Sequence, residues 1–315
     1  MTTSRSVGRW YRSFLWVPGH KPAWAPKAIN TQVDALFLDL EDSVPIANKA
    51  EGRQGIREML EAHASENVGL FARVNGWGTG ELIADVDGIV APGLDGIMLA
   101  KCESRDHVSA LSLVLDELEA ARGLPIGGIE IVPCIESPAG LHHLYDICMA
   151  SQRVKRVNGL GVAAPGGDFA GSLNIRLSPD AREGNLYALA AMTAARAAGV
   201  TQILGGPATD VANLDVVREV HEQARALGAT SGHVIHPSHV AIVNEIYSPS
   251  QEEIQEAVEL MEALTEAVEA GHAAVRHKGH MIDYAHARAI LDLLERAHQS
   301  GLFAGPVPQL PVLSH

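Results

Sequence analysis

EIVPCIESPAG (130–140) is an apolar run that closes on a carboxylate, Glu136, and breaks at once on Ser137, Pro138 and Gly140. A run of this kind reads as a strand buried on both faces. A charge at the edge of a core costs several kcal/mol unless something compensates it. Glu136 therefore either caps the helix that follows or faces a cation or ligand at the end of its strand.

The pattern recurs along the chain. SFLWVPG (13–19), ALFLDLED (35–42), LFARVNG (70–76), GIMLAKCE (96–103), IEIVPCIES (129–137), VNGLGVA (157–163), TQILGGPA (201–208) and HVIHP (233–237) make eight expected strands. Between them, residues 47–64, 106–123, 186–199 and 214–228 carry apolar positions three and four apart, and the last two stretches stop at a Gly, as helices do. Eight strands alternating with helices over about 250 residues predict an α/β fold, a (β/α)8 TIM barrel. The alternative is a doubly wound open sheet, but no G-x-G-x-x-G follows the first strand.

Composition sets the outer bounds. The chain has 315 residues, 47% of them hydrophobic, enough to bury a full core. A formal net charge of −14 with no Lys or Arg run argues against nucleic acid as a partner. The polar N-terminus lacks a signal core and no stretch is long enough to span a membrane. Cys102, Cys134 and Cys148 show no C-x-x-C spacing and read as buried free thiols. Together these predict a soluble cytoplasmic protein with no membrane partner.

Residues 1–248 account for the expected barrel. From 249 to 315 the character changes to a long amphipathic helix, a Gly-marked loop, a second helix and a loose Pro-rich tail. This C-terminal extension is expected to form a lid or an inter-subunit arm.

Barrel enzymes react at the C-terminal ends of their strands. Those ends carry Asp39, Glu41 and Asp42, then Arg73 and Asn75, Lys101 and Glu103, Glu136, Asp168 and His236. Glu136 and Asp168 come from neighbouring strands with no Lys or Arg close in sequence, so a shared proton or a cation is expected between them. Few carboxylates, with water and substrate oxygens completing the shell, is how Mg²⁺ is held; Mn²⁺ accepts the same donors. For Asp39, Glu41 and Asp42 the other reading is that they cap the next helix and pair with Lys49 or Arg53.

The pieces RSFLWVPG, DALFLDLEDSV, RVNGWGT, GLDGIMLAKCES, IEIVPCIESPAGL, GGDFAGSLN, VIHPSHVAIVNEIYSPS and GHMIDYAHARAIL, in this order, span about residues 11–295. They resemble the citrate lyase β-subunit-like family of the HpcH-type aldolase superfamily, which includes malyl-CoA and citramalyl-CoA lyases. The resemblance implies a Mg²⁺-dependent carbon–carbon lyase acting on a short β-hydroxyacyl-CoA, yielding an acyl-CoA and a keto acid, in a homotrimer or hexamer. Glu136 and Asp168 would be metal ligands, and Arg73 would hold a substrate oxygen. Asp283, on the lid, would serve as acid or base, and Arg12 and Lys21 would lie toward the CoA side. Asp39, Glu41, Asp42, Lys101 and His236 would stand around this centre. A CoA-independent keto-acid aldolase, an acyl-CoA thioesterase and a catalytically silent assembly subunit are the alternatives. The chain departs from the family pattern at Gly167, Gly205, Gly232-His233 and His239, and the strand-seven and strand-eight departures bear on the acyl-CoA substrate.

Overall fold

The computed structural model describes residues 8–64, 66–159, 168–174, 178 and 182–310. Eight parallel strands run β1 (Ser13–Pro18), β2 (Ala35–Asp39), β3 (Gly69–Val74), β4 (Gly96–Leu99), β5 (Glu130–Pro133), β6 (Arg156–Val157), β7 (Gln202–Gly205) and β8 (Ser231–Val234). They pair in the order β5-β4-β3-β2-β1-β8-β7-β6. The ring closes between its two ends, where the Asn158 amide donates to the Pro133 carbonyl at 3.0 Å and Ile135 N to Asn158 O at 2.9 Å. The fold is therefore a TIM-type barrel with helices around it, including 49–63, 105–121, 182–197 and 214–226.

Alternation along the strands separates two cores. Leu15, Val17, Leu36, Leu38, Leu70 and Ala72 face outward against the helices. Phe14, Ala35, Phe37, Phe71, Met98, Val132 and Leu204 face inward, with Tyr11 and Cys134. The inner rings pack Phe14 on Phe37 at 4.5 Å, with Phe71 edge-on. Below them Arg156 is fully buried, bonded to Glu130 and Gln202 at 2.8 Å each and stacked on Phe71 at 4.8 Å. This paired, hydrogen-bonded cation closes the barrel floor, so the room for chemistry lies at the opposite, C-terminal end.

Two strands differ from the sequence reading. The described part of β6 is only Arg156–Val157, ending in the single bridge at Asn158; residues 160–163 of the expected strand lie outside the described residues. β8 ends at Val234, not Pro237, because His236 already accepts from Ser238 N as the cap of a short helical turn.

The chain divides into two compact units, with the boundary along the sequence between Tyr247 and Ser248. In the second, Ser250 and Glu253 form a reciprocal capping box that starts the helix Gln251–Glu269. The expected loop that follows is instead a hairpin, β9 (Ala274–His277) and β10 (His280–Asp283). Its two-residue turn is Lys278-Gly279, at φ 45° and 90°, the left-handed pair that suits the strand twist. The tail is not loose as far as residue 310. Phe303 and Val307 pack back on the unit's own core of Ile254, Met261, Leu264 and Leu294.

Candidate active site

The inward series of β2 and β3 turns polar at its last members. Asp39 and Arg73 are register partners on adjacent strands. Arg73 Nε and Nη2 donate to the two Asp39 oxygens at 2.6 and 2.8 Å, and the guanidinium lies 4.6 Å above the Trp16 ring. Its remaining nitrogen, Nη1, meets Glu41 at 3.0 Å, Asp42 at 3.6 Å and Glu136 at 4.0 Å. Lys101 Nζ reaches Glu41 at 3.0 Å and Asp168 at 3.5 Å, and its backbone amide donates to Glu136 at 3.1 Å.

The electrostatics follow from this packing. Burial alone would raise the Asp39 carboxyl, but the Arg73 hydrogen bonds and those from Ser43 and Glu41 outweigh it and hold it ionised. For Glu41 burial wins over Arg73 and Lys101, so its proton affinity rises. Arg73 is pushed up despite its burial, by Asp39 and then Glu41, which fixes its charge. Lys101 is pushed up too, chiefly by its hydrogen bond to Glu41.

Sequence reasoning left Glu136 and Asp168 without neutralising cations. Arg73 from β3 and Lys101 after β4 supply them, brought in by the barrel and not by the local sequence. Lys49 and Arg53 do not pair with the acids after β2: Lys49 Nζ donates to the Leu40 and Glu41 carbonyls and to Asn75, while Arg53 binds Glu81 and Asp85. Nor does Glu136 cap a helix. Ser137 does that, accepting from Gly140 N, which leaves the Glu136 carboxylate to the site.

A cavity of about 500 Å³ opens over this cluster, lined by Trp16, Asp39, Arg73, Glu136, Asn158 and His233. A second, of about 280 Å³, adjoins it through Glu136, Asn158 and His233 and reaches Asp168. Five carboxylates here meet two cations. The ion pairs to Asp42, Glu136 and Asp168 are long, at 3.6, 4.0 and 3.5 Å, so these groups keep lone pairs for a further cation. Their all-oxygen chemistry fits a hard divalent ion. Among the described residues no three acidic, His or Cys side chains converge as a ligand set, so water and substrate would complete the shell.

The other expected residues are scattered. Lys21 is exposed in the turn after β1, at the cavity end. His236 is exposed there too, with Nδ1 held by Ser238 Oγ at 2.7 Å. Arg12 precedes β1 and so lies at the opposite end of the barrel, clamped to Asp34 at 2.7 and 2.9 Å; it does not join the cluster. Asp283 ends β10 in the second unit, with its carboxylate 2.8 Å from His286 Nδ1. Gly167 lies outside the described residues.

Trp16 and Asn158 were not expected in the site, and His233 was named only as a departure from the family pattern. His233 pairs with inward-facing Phe14, and its Nδ1 accepts from Trp16 Nε1 at 2.9 Å. An indole only donates, so this ring is neutral with its proton on Nε2. Burial, then His221 and Arg73, push its pKa down to about 3. The usable signal was alternation, since correctly registered β8 puts residues 231 and 233 inside. By the same register Gly205 and Gly232 point outward, where an added Cβ at 205 would lie 2.6 Å from the Ala224 Cβ and 2.9 Å from the Tyr247 hydroxyl. The Gly205 departure therefore removes nothing from the cavity.

A closed barrel with a carboxylate-rich, arginine-anchored cavity at its C-terminal end places the chain in the TIM-barrel class. Residues 12–237 match the HpcH/HpaI aldolase/citrate lyase family, and the chain belongs to that family of lyases. It is 30% identical to the L-malyl-CoA/β-methylmalyl-CoA lyase of Rhodobacter capsulatus, covering 95% of this chain and 98% of the relative. It is 29% identical to the citrate lyase subunit β of Leuconostoc mesenteroides subsp. cremoris, covering 86% and 88%. The protein CitE of Mycobacterium tuberculosis, solved with magnesium, acetoacetate and coenzyme A, shares the fold at a TM-score of 0.66 and 23% identity, covering 94% of this chain and 100% of that one. Among the described residues no helix is long and apolar enough to cross a membrane.

Proposed function

We propose that this chain is a Mg²⁺-dependent carbon–carbon lyase that cleaves or forms a short β-hydroxyacyl-CoA of the malyl-CoA or citramalyl-CoA type. The observation that carries the reading is Glu136, Asp168 and Arg73 lining two adjoining cavities at the strand ends, with Glu136 in both. The malyl-CoA lyase relative, matched over nearly the full length of both chains, supports the thioester substrate.

Glu136 and Asp168 would hold the cation, which supplies Lewis-acid stabilisation of negative charge on the keto-acid oxygens. Arg73 Nη1 adds a fixed positive charge on the same side, pre-oriented by Asp39 and Trp16, so little reorganisation is needed as charge develops. In cleavage the substrate hydroxyl gives up its proton to Asp283, acting first as base, and the C–C bond breaks. Its electron pair passes to the thioester as an enolate, and the new carbonyl leaves as a keto acid. The enolate carbon then takes a proton. Asp283 is the proposed acid at that carbon, its carboxylate oriented by His286 and delivered by residues 248–315 of a neighbouring subunit in a homo-oligomer.

Calorimetric titration in Mg²⁺ with acetyl-CoA or propionyl-CoA, and separately with glyoxylate or pyruvate, tests the reading on wild type and Glu136→Ala. Binding of both classes, with keto-acid binding lost in the variant, supports the lyase. Keto-acid binding without CoA affinity would replace it with a CoA-independent aldolase. Release of free CoA from the substrate would replace it with a thioesterase.

A further inference from the structure

Asn158 is 4% exposed and lines both parts of the cavity beside Glu136. Its main chain closes the barrel through Pro133 and Ile135, which fixes where the side chain starts. Gly159 enforces this close approach: at φ 114°, an added Cβ would come within 2.2 Å of the Ile135 carbonyl oxygen. The amide nitrogen donates to Cys134 Sγ at 3.2 Å and Met98 Sδ at 3.7 Å. A thioether can only accept, so the NH₂ end is fixed toward the sulfurs and the oxygen faces the other way. That oxygen, Oδ1, is buried and has no hydrogen-bond partner among the described residues. Orphaned buried acceptors are rare and costly, and Asn158 keeps one in the cavity wall that it shares with Glu136.

We infer that Asn158 Oδ1 accepts a hydrogen bond from a water of the bound divalent ion's hydration shell, making Asn158 a positioning residue for the cation. The inference rests on the reading of Glu136 and Asp168 as its ligands. Mg²⁺ sheds water reluctantly and keeps several molecules, each a strong donor in need of an acceptor. Partners of this kind commonly change metal affinity by about 10–100-fold. The same oxygen should weaken the metal-free protein, because nothing satisfies it there.

The test is Mg²⁺ titration into metal-free protein, with no substrate present, alongside thermal melting of the same samples. Asn158→Leu should weaken Mg²⁺ binding about tenfold or more while the metal-free protein melts no lower than wild type. A purely structural asparagine would instead lower the melting temperature and leave Mg²⁺ affinity unchanged, which overturns the inference. Asn158→Asp, which keeps an oxygen in place, should bind Mg²⁺ at least as tightly as wild type. If Asn158→Leu does not fold, tenfold weaker binding by Asn158→Asp would overturn the inference by itself. Glu136→Gln is the control: loss of binding there with none in Asn158→Leu removes only the role of Asn158. Unchanged binding in both removes the metal site as well.

Discussion

Arg73 joins Asp39, Glu41, Asp42 and Glu136 while stacking on Trp16, a set of contacts that only a planar, always-charged fork can satisfy together. Arg73→Lys keeps the charge and loses both the bidentate bond and the stack. The expected outcome is a drop in kcat/KM of about 10²–10³-fold with the fold intact, read from steady-state cleavage and circular dichroism. Unchanged kcat/KM would mean that Arg73 serves stability alone. A different prediction attaches to His221, which is fully buried beside Tyr247 and Gly206. Burial, then His239, pushes its pKa down to about 4, so it is neutral in the folded state while the unfolded chain titrates near 6.5. The unfolded state then binds more protons between those values. Stability is complete above pH 6.5 and is lost as pH falls toward 4, by about 1.4 kcal/mol per pH unit per proton. Urea unfolding from pH 7 to 4.5 should give His221→Gln a shallower slope than wild type by about one proton; equal slopes would mean that His221 is charged in the fold.

Period-two alternation carried most of what the sequence revealed about the barrel. Phe14, Phe37 and Phe71 face inward, and Asp39 and Arg73 continue the same inward series into the cavity, so these two were legible once the strands were placed. Lys101 was placed at its strand end but not with its partners, and Asn158 was not placed in the site. Each meets its partners across strands joined by loops and helices, and no spacing in the chain records that Lys101 will stand 3.5 Å from Asp168. His233 was named only as a departure from the family pattern, and its inward direction follows from its pairing with Phe14, a partner the chain does not record. Pairing likewise settles the direction of Gly205, which faces the helix layer. Gly205→Asp would force a carboxylate against Ala224 and Tyr247 with no cation offered by either. It is expected to cost about 3 kcal/mol or more, lowering the urea midpoint of whatever protein remains soluble. Its effect on the preferred acyl group should be nil. A changed substrate preference at wild-type stability would put position 205 back in the cavity.

The two units keep separate hydrophobic cores, one built from residues up to Tyr247 and one from Ile254 onward. Such a division lets the proposed acid, Asp283, and the proposed binding group, Arg73, come from different copies of the chain. Two inactive variants can then repair each other. Arg73→Ala has a damaged cavity and an intact Asp283, whereas Asp283→Ala has the reverse. If residues 248–315 serve a neighbouring barrel, co-refolded mixtures of the two regain cleavage activity, because some sites combine an intact cavity with an intact arm. Random assembly into a head-to-tail ring at equal amounts makes about a quarter of all sites complete, so roughly that share of wild-type kcat is expected from the mixture. Each variant refolded alone should stay inactive, with Asp283→Ala melting near wild type and Arg73→Ala melting lower, because it leaves the buried Asp39 carboxylate unpaired. If the mixture stays as inactive as its components although mixed oligomers form, each chain must use its own Asp283 or none. Full inactivity of Arg73→Ala beside unimpaired Asp283→Ala would select between those two, leaving the barrel without an acid from the second unit.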